Sequence, residues 1–319
     1  METHINLAKF WNRVIALLVD ITILGIVGFL LGLTIDDFLV SIGRYGMLFG
    51  LAITLVYQSI FNSRIMNGQT IGKRILDIQV VDINGNTIEL SKSFLRACVL
   101  SIPYFLNKMP LVAFAASSIN IFWYGVWGSI SLGVVVVYIF NKQTRQSLHD
   151  LVFGTFVATV DRNEVPVEMP AMKRTPFLIW GGLIVIVIIA SILTKPWIDR
   201  EFKDSLSDYS KILTVKGVRQ AGIETNETTV SGHAPVKTYR VKLWVTQMPG
   251  GKLHDNKMVR DVVDTILVNQ PNVDGFNTIT VSLIREFNIG IASKSYTNST
   301  SNSPEQWRSI LSSDTLMPK

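Results

Sequence analysis

Apolar residues fill long uninterrupted blocks through about the first 195 positions and short alternating runs after them. The first block, 11–33, has Asp20 as its one ionisable residue from Val14 onward. That is about the 20 residues a helix needs to cross a bilayer. A second block, 42–61, follows a polar turn with Asp36, Asp37 and Arg44. The polar stretch 62–92 then carries Arg64, Lys73, Arg74 and Lys92. Within it, 75–83 reads as a strand, Asn84-Gly85-Asn86 as a hairpin turn and 87–90 as the returning strand.

The next region, 94–140, can be read in two ways. A short helix over 94–106 either crosses the membrane or lies in its interface, and a clean span occupies 119–140. Lys142, Arg145, Arg162, Lys173 and Arg174 make 141–174 as basic as 62–92, so both stretches belong on the same side. Two crossings must lie between them. The last block, 177–193, is uncharged and ends at Lys195-Pro196, which brings the expected count to five spans.

Residues 197–319 read differently. Tyr239, Val241, Leu243 and Val245 alternate with polar or larger partners, and Ile279, Val281, Leu283, Phe287, Ile289 and Ile291 hold one face of a second strand. Between them Met258, Val259, Val262, Val263, Ile266 and Leu267 form an amphipathic stripe, with Asp255 as the expected N-cap and Pro271 after the end. Ser303-Pro304-Glu305-Gln306 predicts a capped C-terminal helix. The fold class is therefore an α-helical transmembrane bundle followed by a small α+β extracytoplasmic domain. Its parts are 7–160, a linker at 161–176, a fifth transmembrane helix at 177–194 and the domain 197–319.

Composition agrees. The chain is 48% hydrophobic and 17% charged, against roughly 25% charged in soluble domains. The net charge of +6 comes without any basic run interleaved with aromatics, so it reads as topology and anionic-lipid contact and not as nucleic-acid binding. The positive-inside rule puts the N-terminus, the loop 62–92 and 141–174 in the cytoplasm and 197–319 outside a bacterial-type plasma membrane. The one cysteine, Cys98, excludes an internal disulfide. His4, His149, His233 and His254 lack ligand spacing, so no metal or cofactor is expected.

The candidate chemistry lies in the apolar blocks. Arg13 and Asp20 are seven apart, within about 20° on one helix face and about 10 Å apart along the axis. An intramembrane carboxylate costs a few kcal/mol or more and leans functional; the alternative is a group that only joins two helices. Arg145, His149 and Asp150 follow the 119–140 span, and Asp150 sits at the right level to pair with Arg13, giving an electrostatic latch. Gly28 and Gly32, like Gly46 and Gly50, have the spacing that lets helices pack closely. Gly68–Lys73 has three residues between its glycines and Arg74 after the lysine, which argues against a nucleotide phosphate loop. No nucleophile–base pair is visible in 197–319, so no enzymatic activity is expected.

Taken in order, Arg13…Asp20, Gly68-Gln-Thr70-Ile-Gly72-Lys73, Val80-Val81-Asp82, Gly85, Arg96 and Arg145…His149-Asp150…Gly154-Thr155 resemble the RDD family of multi-pass membrane proteins, over about residues 7–160. The family is named for one Arg and two Asp. The resemblance implies that Arg13, Asp20 and Asp150 matter most, and transport of an unidentified ligand has been suggested for the family. The expected function is movement of a small cation or a proton-coupled ligand through a site at Asp20. The other reading is a scaffold or sensor whose outer domain binds a protein partner. Assembly as a homo-oligomer fits either.

Overall fold

The computed structural model describes residues 6–109, 118–160, 174–201, 209–228, 235–270 and 272–313. Most of the linker 161–176, together with His4, His233 and Pro271, lies outside them. The chain divides into two units. The first holds the helices up to Leu193 together with Asn288–Ser293, and the second holds Thr194–Phe287 and the chain from Lys294 onward.

In the first unit, α1 (Phe10–Thr34) is followed by α2 (Asp36–Ile42) and α3 (Gly46–Phe61), the short α4 (Ile71–Ile75) and α5 (Leu90–Asn107). Then come α6 (Ser118–Phe140), the single turn and a half of α7 (Leu148–Val152), and α8 (Thr175–Glu201). Among the described residues, four stretches are long and apolar enough to cross a membrane: Phe10–Thr34, Asp36–Phe61, Phe122–Phe140 and Thr175–Thr194. α5 has eighteen residues and carries Lys92 and Arg96, so it falls outside that set.

The burial pattern reverses that of a water-soluble protein. On α1, Leu17, Leu18, Ile21, Phe29 and Leu30 are exposed, while the buried stripe is Ala16, Asp20, Leu24, Gly28 and Gly32. Spacing by four keeps this stripe on one face. Apolar side chains outside and a carboxylate inside are stable only where the surroundings are lipid. The chain is an integral membrane protein by this pattern.

Small residues on α1 and α3 admit close backbone. A Cβ on Gly50 would lie 1.7 Å from the Ile289 carbonyl oxygen, one on Gly46 2.7 Å from that of Asn288, and one on Gly28 2.7 Å from Ala292 Cβ. The backbone that approaches these glycines is therefore the 288–292 segment of the same unit, where the spacing alone suggests a second helix. A short side chain admits any backbone, and the sequence pattern does not say which.

The expected hairpin in 62–92 is corrected. Its turn forms: the Asp82 carboxylate accepts from the Asn84 and Asn86 amides at 2.8 and 2.9 Å, and Gly85 takes φ +78°. The returning segment makes a single bridge, Val81 to Thr87, before α5 begins at Leu90. The partner of β1 (Ile78–Asp82) is instead β2 (Thr155–Thr159), antiparallel from Ile78↔Thr159 to Asp82↔Thr155. β2 buries four of its five residues, which a short exposed returning strand could not match.

The second unit is a four-stranded sheet in the order β3 (Gln220–Thr228), β4 (Val236–Trp244), β5 (Thr278–Asn288), β6 (Ser293–Asn302). β3 and β4 are antiparallel, and β4 and β5 parallel. A parallel pair needs a crossover, supplied by α9 (Lys257–Asn269). Asn256, one residue past the expected Asp255, caps it by accepting from the Met258 and Val259 amides. α10 (Pro304–Ser313) starts as predicted, with the reciprocal bonds of a capping box between Ser303 and Gln306. Tyr239, Val241, Leu243, Ile279, Val281 and Leu283 pack against α9 and against Trp307, whose indole donates to the Ile279 carbonyl at 3.0 Å. This core is the unit's own. β3 and β6 were not foreseen, because their residues are polar and lack alternation.

Candidate functional site

The polar face of α1 meets two short elements, α4 and α7. α4 comes first. Thr70 caps it by accepting from the Lys73 amide at 3.3 Å, and Gly72 lies directly on α1. A Cβ at Gly72 would stand 2.1 Å from the Ala16 carbonyl oxygen and 3.0 Å from Asp20 Oδ1. This close approach lets the Gly72 amide donate to Asp20 Oδ1 at 2.9 Å. The Tyr57 hydroxyl, from α3, donates to the same oxygen at 2.7 Å and itself accepts from the Ile71 amide. Asp20 is 2% exposed.

Gly72→Ala is expected to force α4 off α1, since the obstruction is backbone and cannot rotate away. Overpacking of this kind costs about 1–3 kcal/mol. Thermal unfolding in detergent should show a lowered Tm, whereas Gly181→Ala, with open space around it, should leave Tm where it is.

The second element is α7. Asp150 sits at its third position and is fully buried. Its Oδ2 accepts from Arg13 at 2.7 Å and from the Ser147 amide at 3.3 Å. Its Oδ1 accepts from Arg96 Nε and NH2 at 2.9 and 2.7 Å and from the Thr155 hydroxyl at 3.1 Å. Burial alone would raise this carboxyl, and the guanidinium groups of Arg96 and Arg13 outweigh it, holding Asp150 well below the usual carboxylate range. One carboxylate thus anchors two arginines from two helices.

Arg13 is fixed on its other sides as well. It donates to the Arg145 carbonyl and lies 4.7 Å from the centre of the Tyr138 ring. Arg145 takes φ +51°. Its own guanidinium goes to the Ala8 carbonyl at 3.3 Å, so Arg145 serves the latch through its backbone. His149 Nε2 lies 3.1 Å from Arg96, while Nδ1 is buried without a partner. Burial, with Arg96 and Arg13 adding, pushes His149 down to about 3, so the ring stays neutral.

α4 contributes a second group, Lys73, whose ammonium donates to the Asn62 side-chain oxygen. The Asn62 amide nitrogen is held in turn by the Gln58 carbonyl and side-chain oxygens. Burial, then the charge of Arg96, pushes Lys73 down to about 7, with Asp20 and Asp150 pulling the other way. A cavity of about 310 Å3 joins these groups, lined by Arg13, Asp20, Gln58, Lys73, Arg96 and His149 together with apolar residues of α1 and α6.

Of the residues singled out in the sequence, Arg13, Asp150, Arg145 and His149 therefore come together, with Asp20 on the same cavity. Lys73, Tyr57, Gln58 and Asn62 were not assigned to the site, and Arg96 entered only through the family resemblance. A basic residue inside the apolar stretch of α5 was the available signal for Arg96.

Residues 7–154, just under half of the chain, match the model of the RDD family. Comparison with curated proteins and with solved structures gave no match.

Proposed function

We propose that the RDD-family region, residues 7–154, moves a proton-coupled ligand across the plasma membrane, with Asp20 as the embedded site and the Arg13–Asp150–Arg96 group as a fixed latch beside it. The observation that carries this reading is that Asp20 and Lys73 line one cavity within the bundle. Lys73, held near neutrality, can lose or regain its proton beside the Asp20 carboxylate as a ligand enters or leaves. With Lys73 protonated, three cations, Arg13, Lys73 and Arg96, stand against two carboxylates, Asp20 and Asp150. That surplus favours a proton-coupled ligand over a bare cation.

The proposed topology has five spans, an inner N-terminus and an outer C-terminal domain. Asp150 supports it by tying the start of α1 and the start of α5 to the turn just past α6. At the opposite end, the Trp123 indole near the start of α6 donates to Leu106 near the end of α5 at 2.9 Å. α5 and α6 therefore run out and back between the same two levels. Eighteen helical residues extend about 27 Å, close to the thickness of the hydrocarbon core. One acid embedded in a spanning helix is sparse for a carrier, which makes a homo-oligomer part of the proposal.

In the second reading the chain is a scaffold or sensor whose outer domain binds a partner. Its support is the separate, complete core of the second unit. Reconstitution separates the two. Vesicles holding a trapped pH dye and the full chain should equilibrate an imposed proton gradient faster than empty vesicles. A rate equal to that of empty vesicles would move the assignment to the scaffold.

A further inference from the structure

We propose that the cavity holds the headgroup of an anionic amphiphile, with its acyl chain lying between α1 and α6. The walls are apolar: Val14 and Leu17 come from α1, and Val134, Val135 and Ile139 from α6. Leu17, Val135 and Ile139 are 47%, 52% and 45% exposed, so the walls run out onto faces that meet lipid. A chain could enter sideways without crossing a polar layer. At about 310 Å3 the space is at the small end of ligand pockets. That suits a headgroup and the first part of a chain, with the remainder in the bilayer.

The floor determines the sign of the headgroup. With Lys73 protonated, the charge of Asp20 offsets that of the lysine. Arg13 and Arg96 share the single charge of Asp150, which leaves one positive charge over in an apolar setting. An uncompensated buried charge is costly, and a ligand oxyanion removes that cost. Arginine and lysine are also the side chains best matched to phosphate and carboxylate oxygens. The shared chemistry is a single negative charge on oxygen. The apolar walls add a requirement for a tail, which free phosphate lacks. The inference rests on the bundle lying in lipid and not on transport, so binding without proton flux would leave it standing.

The test uses the full-length protein in a nonionic detergent, with thermal unfolding as readout. Dioctanoyl phosphatidylglycerol should raise Tm saturably, and the phosphatidylcholine of equal chain length should need at least about tenfold more. Inorganic phosphate at the same concentration should have no effect. Lys73→Gln and Val135→Trp, which remove a cation and fill the wall, should each weaken the phosphatidylglycerol effect about tenfold; Leu17→Trp replaces the latter if it does not fold. An equal response to phosphate would reduce the site to a simple anion site and overturn the proposal. So would an equal response to phosphatidylcholine, no response to phosphatidylglycerol, or wild-type binding by the wall variant.

Discussion

Asp150→Ala should destabilise the membrane unit by about 3–5 kcal/mol, the usual cost of leaving a buried charge without its partner. The effect sits at the high end because two guanidinium groups lose their anchor at once. Arg13 and Arg96 are 10% and 4% exposed at the side chain and cannot simply turn to solvent. The capping of α7 goes too, since the Ser147 amide bonds to the same carboxylate. Unfolding in detergent, followed by helical signal, should show a large loss of Tm or no folded protein. Asp150→Asn retains the shape and some of the acceptor capacity, so it should fall between Ala and wild type. If Ala melted like wild type, the latch would have no structural weight.

Asp20→Asn should do the opposite: leave the fold and remove the activity. Both described hydrogen bonds to Asp20 reach Oδ1, from Tyr57 and from the Gly72 amide. An asparagine oxygen can accept both, so Tm should shift little. The amide cannot take up or release a proton, and proton movement in the vesicle assay should fall to that of empty vesicles. Retained flux with Asn at this position would refute a proton-exchanging role. The pair of variants separates two buried carboxylates that composition alone would treat alike. One is surrounded by fixed charges; the other is held by neutral donors beside a titratable amine.

Helical periodicity alone placed Arg13 and Asp20 on one face, and matching of membrane levels pointed from Arg13 to Asp150. Those inferences work because a transmembrane helix has a fixed rise and a fixed pitch. Pairings set by tertiary contact were harder to see. β1 looked as though it should fold back on the residues just after its turn, yet its partner lies more than seventy positions downstream. In the sequence Lys73 stands out as a basic loop residue, as part of a failed nucleotide loop and within the family resemblance, but nothing there links it to Asp20. Its value comes from Gly72, which lets α4 touch α1 and brings the neighbouring ammonium to the cavity. The polar strands β3 and β6 are made strands by their neighbours β4 and β5, a property of the sheet and not of their own residues.

The pairing of β1 with β2 and of Arg13 with Asp150 sets an order of assembly. Arg13 precedes Asp150 by 137 residues, and Ile78 waits for Thr159. During synthesis the first helix reaches the membrane with its arginine and its carboxylate unanswered, and α5 adds Arg96 in the same state. Asp20 meets Tyr57 and Gly72 once α3 and α4 have followed, but neither arginine finds its carboxylate until the chain past Asp150 has emerged. The first half of this protein is thus closed by its last short strand. Until then, the helices must be held together by something other than the contacts that define the finished site.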